Sequence, residues 1–205
     1  MVMGDFITGL AGDELLVGTQ TGYYSGQVMI FKKVLGVWTW AWTSTLASDA
    51  VTSITAADVD GDGRKDILVG TQTGGTTGRL YWYKNKGGGA LTFDPPVIRT
   101  GPGIITALGK GDFSGDGHDD VVVGWRASDT SFGGGLQVWY TDTKTLPTSG
   151  TDASNGQITN WVPTLRIANL DYGVYPLDPS SVKLDDIVCA VRKSANKSTL
   201  YTLLR

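Results

Sequence analysis

The 205 residues contain one cysteine, one histidine and one glutamate. Cys189 alone closes no internal disulfide, and in the apolar run Asp186-Ile187-Val188-Cys189-Ala190 it reads as a small buried hydrophobe rather than a nucleophile. A Ser-His-Asp triad or a histidine-ligated zinc site would have to be built around the one imidazole, His118. An enzyme is therefore not expected. No apolar run approaches the ~20 residues of a membrane helix, so no membrane insertion is expected. The opening Met1-Val2-Met3-Gly4-Asp5 has neither the basic nor the apolar region of a signal peptide. A net charge of -3 gives no footing for a phosphate backbone and excludes nucleic acid as a partner.

What the sequence does hold is glycine, aspartate and short β-forming runs. Its 29 glycines follow no G-X-Y period, which excludes collagen, and 40% hydrophobic residues are too many for a disordered chain. Of the 20 acids only Glu14 is glutamate, leaving nineteen aspartates. Aspartate favours caps, turns and metal loops over helix interiors. Thr, Val, Ile, Tyr and Trp recur in short runs between glycines, the composition of strands and turns. An almost helix-free, all-β chain is expected.

The chain repeats. Val17-Gly18-Thr19-Gln20-Thr21-Gly22 returns unchanged as Val69 to Gly74, and each copy leads through a glycine into an apolar strand, Gln27 to Lys32 and Arg79 to Lys84. Looser copies follow: Val121-Val122-Val123-Gly124 with Leu136 to Tyr140, then Ile187 to Ala190 with Thr199 to Leu204. An acidic loop precedes each apolar run, starting at Asp5, Asp58, Asp112 and Asn169. Four strands fit in each repeat, and four-stranded repeats of ~40–50 residues are the signature of propeller blades. The expectation is a β-propeller of about four blades, residues 1–50, 51–102, 103–160 and 161–205, forming a small ring or part of a larger one.

Two loops carry chemistry. Asp58-Val59-Asp60-Gly61-Asp62-Gly63-Arg64-Lys65-Asp66 places carboxylates at positions 1, 3, 5 and 9, with a glycine at position 6 for the sharp turn. Four such charges repel one another unless a hard divalent cation joins them, and Ca²⁺ best tolerates mixed oxygen geometry. Asp112-Phe113-Ser114-Gly115-Asp116-Gly117-His118-Asp119-Asp120 repeats the frame with Ser114 at position 3. The backbone carbonyls of Arg64 and His118, at position 7, are the expected further ligands. An EF-hand would need a glutamate at position 12, where Val69 and Val123 stand. Two in-register copies disfavour a bare Asp-Gly turn.

This pattern, followed by an apolar strand, Val-Gly, a glycine turn and a Tyr/Trp strand, resembles the FG-GAP/VCBS repeat. That repeat builds the β-propellers of integrin α-subunits, some lectins and some polysaccharide lyases. The resemblance covers nearly the whole chain. It implies Ca²⁺ held by Asp58, Asp60, Asp62 and Asp66, and again by Asp112, Ser114, Asp116 and Asp120. The outer repeats depart from it: the first keeps Asp5 and Asp13 but has Ile7 and Gly9 at ligand positions, and the fourth keeps Asn169, Asp171 and Asp186 with an insertion from Tyr172 to Asp185 breaking the loop.

The function expected from these readings is a calcium-binding module of a secreted or cell-surface protein, acting in adhesion or recognition or as a scaffold. Its partner would be an extracellular protein or a glycan. A lectin-like propeller is the first alternative, and the propeller of a polysaccharide lyase or hydrolase the second. Trp125 and Arg126, in the turn where repeats one and two carry Thr, are the candidate ligand contact. Trp38, Trp40 and Trp42 alternate and are expected to share one face, more suited to packing between blades than to stacking sugars. The stretches around Gly87-Gly88-Gly89 and from Thr141 to Gln157 read as surface loops. An open apolar edge from Ser198 to Leu204 calls for a larger parent chain, an oligomer or a strand exchange.

Overall fold

A computed structural model describes all residues except 8, 10, 11, 89, 90, 169–185, 204 and 205. The described residues form four antiparallel sheets in chain order and no helix. The first sheet is β1 (Val2–Gly4), β2 (Glu14–Gly22), β3 (Ser25–Val34) and β4 (Val37–Leu46). The second is β5 (Ala50–Ala57), β6 (Asp66–Gln72), β7 (Arg79–Tyr83) and β8 (Val97–Thr100). The third is β9 (Ile104–Gly111), β10 (Asp120–Arg126), β11 (Gly134–Trp139) and β12 (Thr151–Asp152). The fourth has three strands, β13 (Trp161–Ala168), β14 (Asp186–Ser194) and β15 (Lys197–Leu203). Each sheet is a meander whose strands pair only with their chain neighbours, and no sheet closes on itself. These are propeller blades stacked face on face.

The burial of each strand reports its place in the stack. β6 is buried on both faces along Asp66 to Thr71, because blades lie against both sides of it. β3 alternates buried and half-buried residues, the mark of a sheet covered on one side. Three cores result. Leu16, Val28 and Ile30 of blade 1 pack on Ile67, Val69 and Tyr83 of blade 2. Leu68, Leu80 and Trp82 pack on Val121, Val123 and Trp139 of blade 3. Val122, Leu136 and Val138 pack on Ile187, Cys189 and Val191 of blade 4. Cys189 is buried, and that burial pushes its thiol up to about 11. Each fully buried Val, Leu or Ile contributes roughly 1.5–3 kcal/mol, so blade stacking dominates the stability.

The repeated Val-Gly has a steric reason. A Cβ on Gly18, Gly70 or Gly124 would stand 2.6, 2.3 or 2.9 Å from Val51, Ile105 or Val162, residues at or beside the inner strand of the next blade. Threonines stitch the same junctions: Thr52 Oγ1 donates to the Gly70 and Ile105 carbonyls, and Thr106 Oγ1 to those of Gly124 and Val162. The inner strands and Met1 border a cavity of about 370 Å³ at the axis.

Two expectations are corrected. A β-bulge sets Trp42 opposite Ile30 but Trp40 opposite Phe31, so the three tryptophans do not share a face. Trp42 turns inward onto Tyr83 and Phe93, while Trp38 and Trp40 stay exposed. The stretch from Thr141 to Gln157 is more than a surface loop. β12 pairs with β11 inside it, and Leu146 is fully buried against the second and third blades, with its carbonyl accepting from Arg99.

Candidate metal centre

Both acidic loops connect the first and second strands of a blade, β5 to β6 and β9 to β10. In the second blade Gly61 and Gly63 take φ of +67° and +84°, a region that glycine enters without strain. These turns fold the loop back on itself. Carboxylate oxygens of Asp58, Asp60 and Asp62 then lie within 4.8 Å of one another. The Asp58 carboxylate accepts from the amides of Asp62 (3.0 Å) and Gly63 (2.9 Å), which fixes the turn. Asp60 is only 6% exposed; one oxygen pairs with the Lys84 ammonium, and the other, Oδ1, is buried without a partner. The Lys84 ammonium is held above the usual lysine range, chiefly by its bond to Asp60. Asp62 pairs with the Arg64 guanidinium and also accepts from the Arg64 amide. The donor set is hard and anionic and leaves one buried oxygen unpartnered, which fits a divalent cation with oxygen ligands.

Asp66 is different. Fully buried, it accepts from the Trp82 indole (2.8 Å), the Asn85 amide (2.8 Å) and the Val59 amide (3.3 Å). Burial outweighs these bonds and pushes its carboxyl up to about 6, with Asp60 adding a smaller push. Asp120 repeats the role, accepting from Phe113, Ser114 and Thr141 amides, and burial likewise raises its carboxyl. Glu14 does so in the first blade, taking the Phe6 (2.8 Å) and Ile7 (3.1 Å) amides. Register shows the equivalence: Glu14 faces Gly4 as Asp66 faces Ala57 and Asp120 faces Gly111. The first loop is one residue longer than the others, so Glu14, not Asp13, closes it. Beside each of these acids a buried apolar residue, Phe6, Val59 or Phe113, plugs the loop into the blade.

The third-blade loop keeps the frame with fewer charges. Asp112 accepts from the Gly115 and Gly117 amides, and Asp116 from the His118 amide. Desolvation is the largest single influence on Asp116, but the His118 amide and imidazole and the Ser114 hydroxyl together outweigh it and hold the carboxyl low. Ser114 stands where the second blade has Asp60. The two loops touch. His118 lies against Gly61 so closely that a Cβ there would stand 2.2 Å from the imidazole. Asp119 receives the Asp58 amide (2.8 Å) and the ammonium groups of Lys65 (3.4 Å) and Lys110 (2.9 Å), and its amide donates to the Asp58 carbonyl (3.1 Å). Sequence reasoning missed Asp119 and Glu14; an acid adjacent to a nine-residue frame was the only signal for either.

Trp125 and Arg126 stand not in a turn but within β10, half-buried at the end of the strand opposite to Asp120. Arg126 pairs with Asp129 at 2.7 Å and lies 5.2 Å over the Trp161 ring. The Trp125 and Trp161 indole N–H, Arg126 Nε and Ser131 Oγ are buried with no partner. The fourth-repeat candidates Asn169 and Asp171 lie outside the described residues.

Comparison with known proteins fits this geometry. An FG-GAP repeat model matches residues 50–91, and an FG-GAP-like repeat model matches residues 71–123. The two matches together cover residues 50–123. Both matches fall on the two blades whose acidic loops are fullest. Among curated relatives, integrin alpha-4 of Xenopus laevis is 31% identical over 55% of this chain. Integrin alpha-IIb of Mus musculus is 26% identical over 58% of it, and that of Homo sapiens 26% over 50%. The chain spans 12–14% of the length of these relatives.

Proposed function

We propose that this chain is a non-enzymatic, Ca²⁺-binding propeller module of a secreted or cell-surface protein, acting in adhesion or recognition toward an extracellular protein. The observation that carries the reading is the convergence of Asp58, Asp60 and Asp62 with one buried oxygen of Asp60 unpartnered. Ligands to the cation are those three carboxylates, the Arg64 carbonyl and Asp66, whose Oδ1 accepts a single hydrogen bond and keeps a lone pair. In the third blade they are Asp112, Ser114, Asp116, the His118 carbonyl and Asp120. Loops with such modest ligand sets suit extracellular calcium, which weak modules bind at roughly 10⁻⁴–10⁻³ M.

Thermal unfolding in EDTA and in millimolar Ca²⁺ tests this reading. Binding to the folded state alone raises the melting temperature with calcium concentration. Asp60→Ala removes most of that rise, and an equal melting temperature in EDTA and calcium overturns the reading.

A second reading is glycan binding at Trp125 and Arg126. The four unpartnered donors around Arg126 and Trp161 support it, since a sugar supplies acceptors and an aromatic-facing ring. A glycan array on the chain and on Trp125→Ala decides it: glycan signals lost in the variant support this reading, and a blank array sets it aside.

A further inference from the structure

Each blade has two sides, and the three interfaces within the chain use them in the same sense. A trailing side meets the leading side of the next blade. On the trailing side, Val28, Leu80 and Leu136 occupy one position, each paired across its sheet with Gly18, Gly70 or Gly124. They are 0, 0 and 1% exposed. On the leading side, Ile67, Val121 and Ile187 occupy one position and are all fully buried; each is paired with an apolar residue, Tyr83, Trp139 or Leu203.

Two sides are left over. Leu200 pairs with Ala190 as Leu80 pairs with Gly70, which makes it the trailing-side residue of the fourth blade, yet it is 69% exposed. Leu15 pairs with Phe31 as Ile67 pairs with Tyr83, which makes them the leading side of the first blade, yet both are only half-buried. Trp40, opposite Phe31, is 61% exposed.

We infer that these are the two halves of a further interface of the same kind, made between two copies of this chain. The leading side of each copy covers the trailing side of the other. The contact is heterologous, and such contacts leave no open end only when the ring closes. Two copies of four sheets close at eight, within the four to eight blades that propellers use. The apolar character needed is present on both halves, with Leu15, Val17, Met29 and Phe31 on one and Val188, Ala190 and Leu200 on the other. Ala190 adds a methyl where the other trailing sides carry glycine, so this contact is looser than those within the chain.

Light scattering across a concentration series tests the proposal. The chain is expected at twice its 21.8 kDa mass at high concentration. Leu200→Asp, an exposed change that leaves the fold intact by circular dichroism, and Phe31→Asp or Met29→Lys each weaken association at least tenfold. Mixing a leading-side with a trailing-side variant restores association, because one of the two contacts in the mixed pair is then wild-type. A monomer at all concentrations overturns the proposal and leaves these sides to other blades of a longer chain. A dimer indifferent to Leu200→Asp, or one that mixing does not restore, overturns it in favour of a contact between like faces.

Discussion

The loops of the second and third blades share a nine-residue frame, a glycine-driven turn and a buried acid at position nine, and among the carboxylate positions differ only at position three. Asp60 there brings a third carboxylate into the group with Asp58 and Asp62, together with Lys84 as its counter-ion; Ser114 brings a neutral hydroxyl. The comparison separates two jobs that one motif performs. Position nine holds the loop to the blade by accepting backbone amides, and Glu14 does the same in a loop with Ile7 and Gly9 at positions three and five. Positions one, three and five set the charge offered to a cation. Anchoring of the loop rests on position nine, while the converging carboxylates of the proposed cation site come mainly from the other positions.

The largest effect is expected at the shared position. Asp66→Ala leaves the Val59 and Asn85 amides and the Trp82 indole without their acceptor and costs on the order of 3 kcal/mol at about 1–3 kcal/mol per orphaned group. Urea unfolding in EDTA reads it, and a loss seen only in calcium would break the division of labour. Close behind is a pH effect. The Asp66 carboxyl lies at about 6 in the fold against an ordinary value of 3.8, so the folded state holds the extra proton between these values. Its stabilisation is therefore full below about pH 4 and lost as pH rises through 6, a change of about 3 kcal/mol at 1.36 kcal/mol per pKa unit. The difference in unfolding free energy between the parent and Asp66→Asn in EDTA, measured from pH 4 to pH 7, isolates it. Bound calcium should flatten that difference.

Exchanging position three sharpens the contrast. Asp60→Ser is expected to weaken calcium binding at the second-blade loop about tenfold, and Ser114→Asp to tighten the third-blade loop by a similar factor, because ligand charge sets affinity in oxygen-ligand loops. Titration calorimetry on each variant reads both, with little change of stability in EDTA. The smallest change is expected from Lys84→Met. It removes the ammonium that competes for Asp60 and tightens calcium binding a few-fold; an unchanged affinity would mean that Lys84 leaves the site at no cost.

Much of this was legible in the residues. The twin Val-Gly-Thr-Gln-Thr-Gly segments disclosed the repeat, and alternation of glycine and β-branched runs disclosed the strands. The Asp58 and Asp112 frames disclosed the loops because turn geometry is local and glycine positions specify it. The Trp42 inversion was hidden, since a single-residue bulge reverses a face without leaving a mark in the alternation. The burial of Leu146 was hidden for another reason: a lone leucine in a polar stretch carries no period, and only Arg99 and the neighbouring blades decide where it goes.

By itself, then, the sequence determined the all-β blade, its number of copies and the carboxylate spacing, because period-two patterning and glycine turns act within a few residues of one another. Tertiary structure alone decided which acids converge at one point and which is buried beneath backbone amides, and that the two loops lock together through Asp119 and His118. It also decided which faces of the stack stand open. The burial of Asp66 depends on pairing with the neighbouring strand of its own blade, and the other outcomes on the stacking of one blade on the next, where no local pattern reaches.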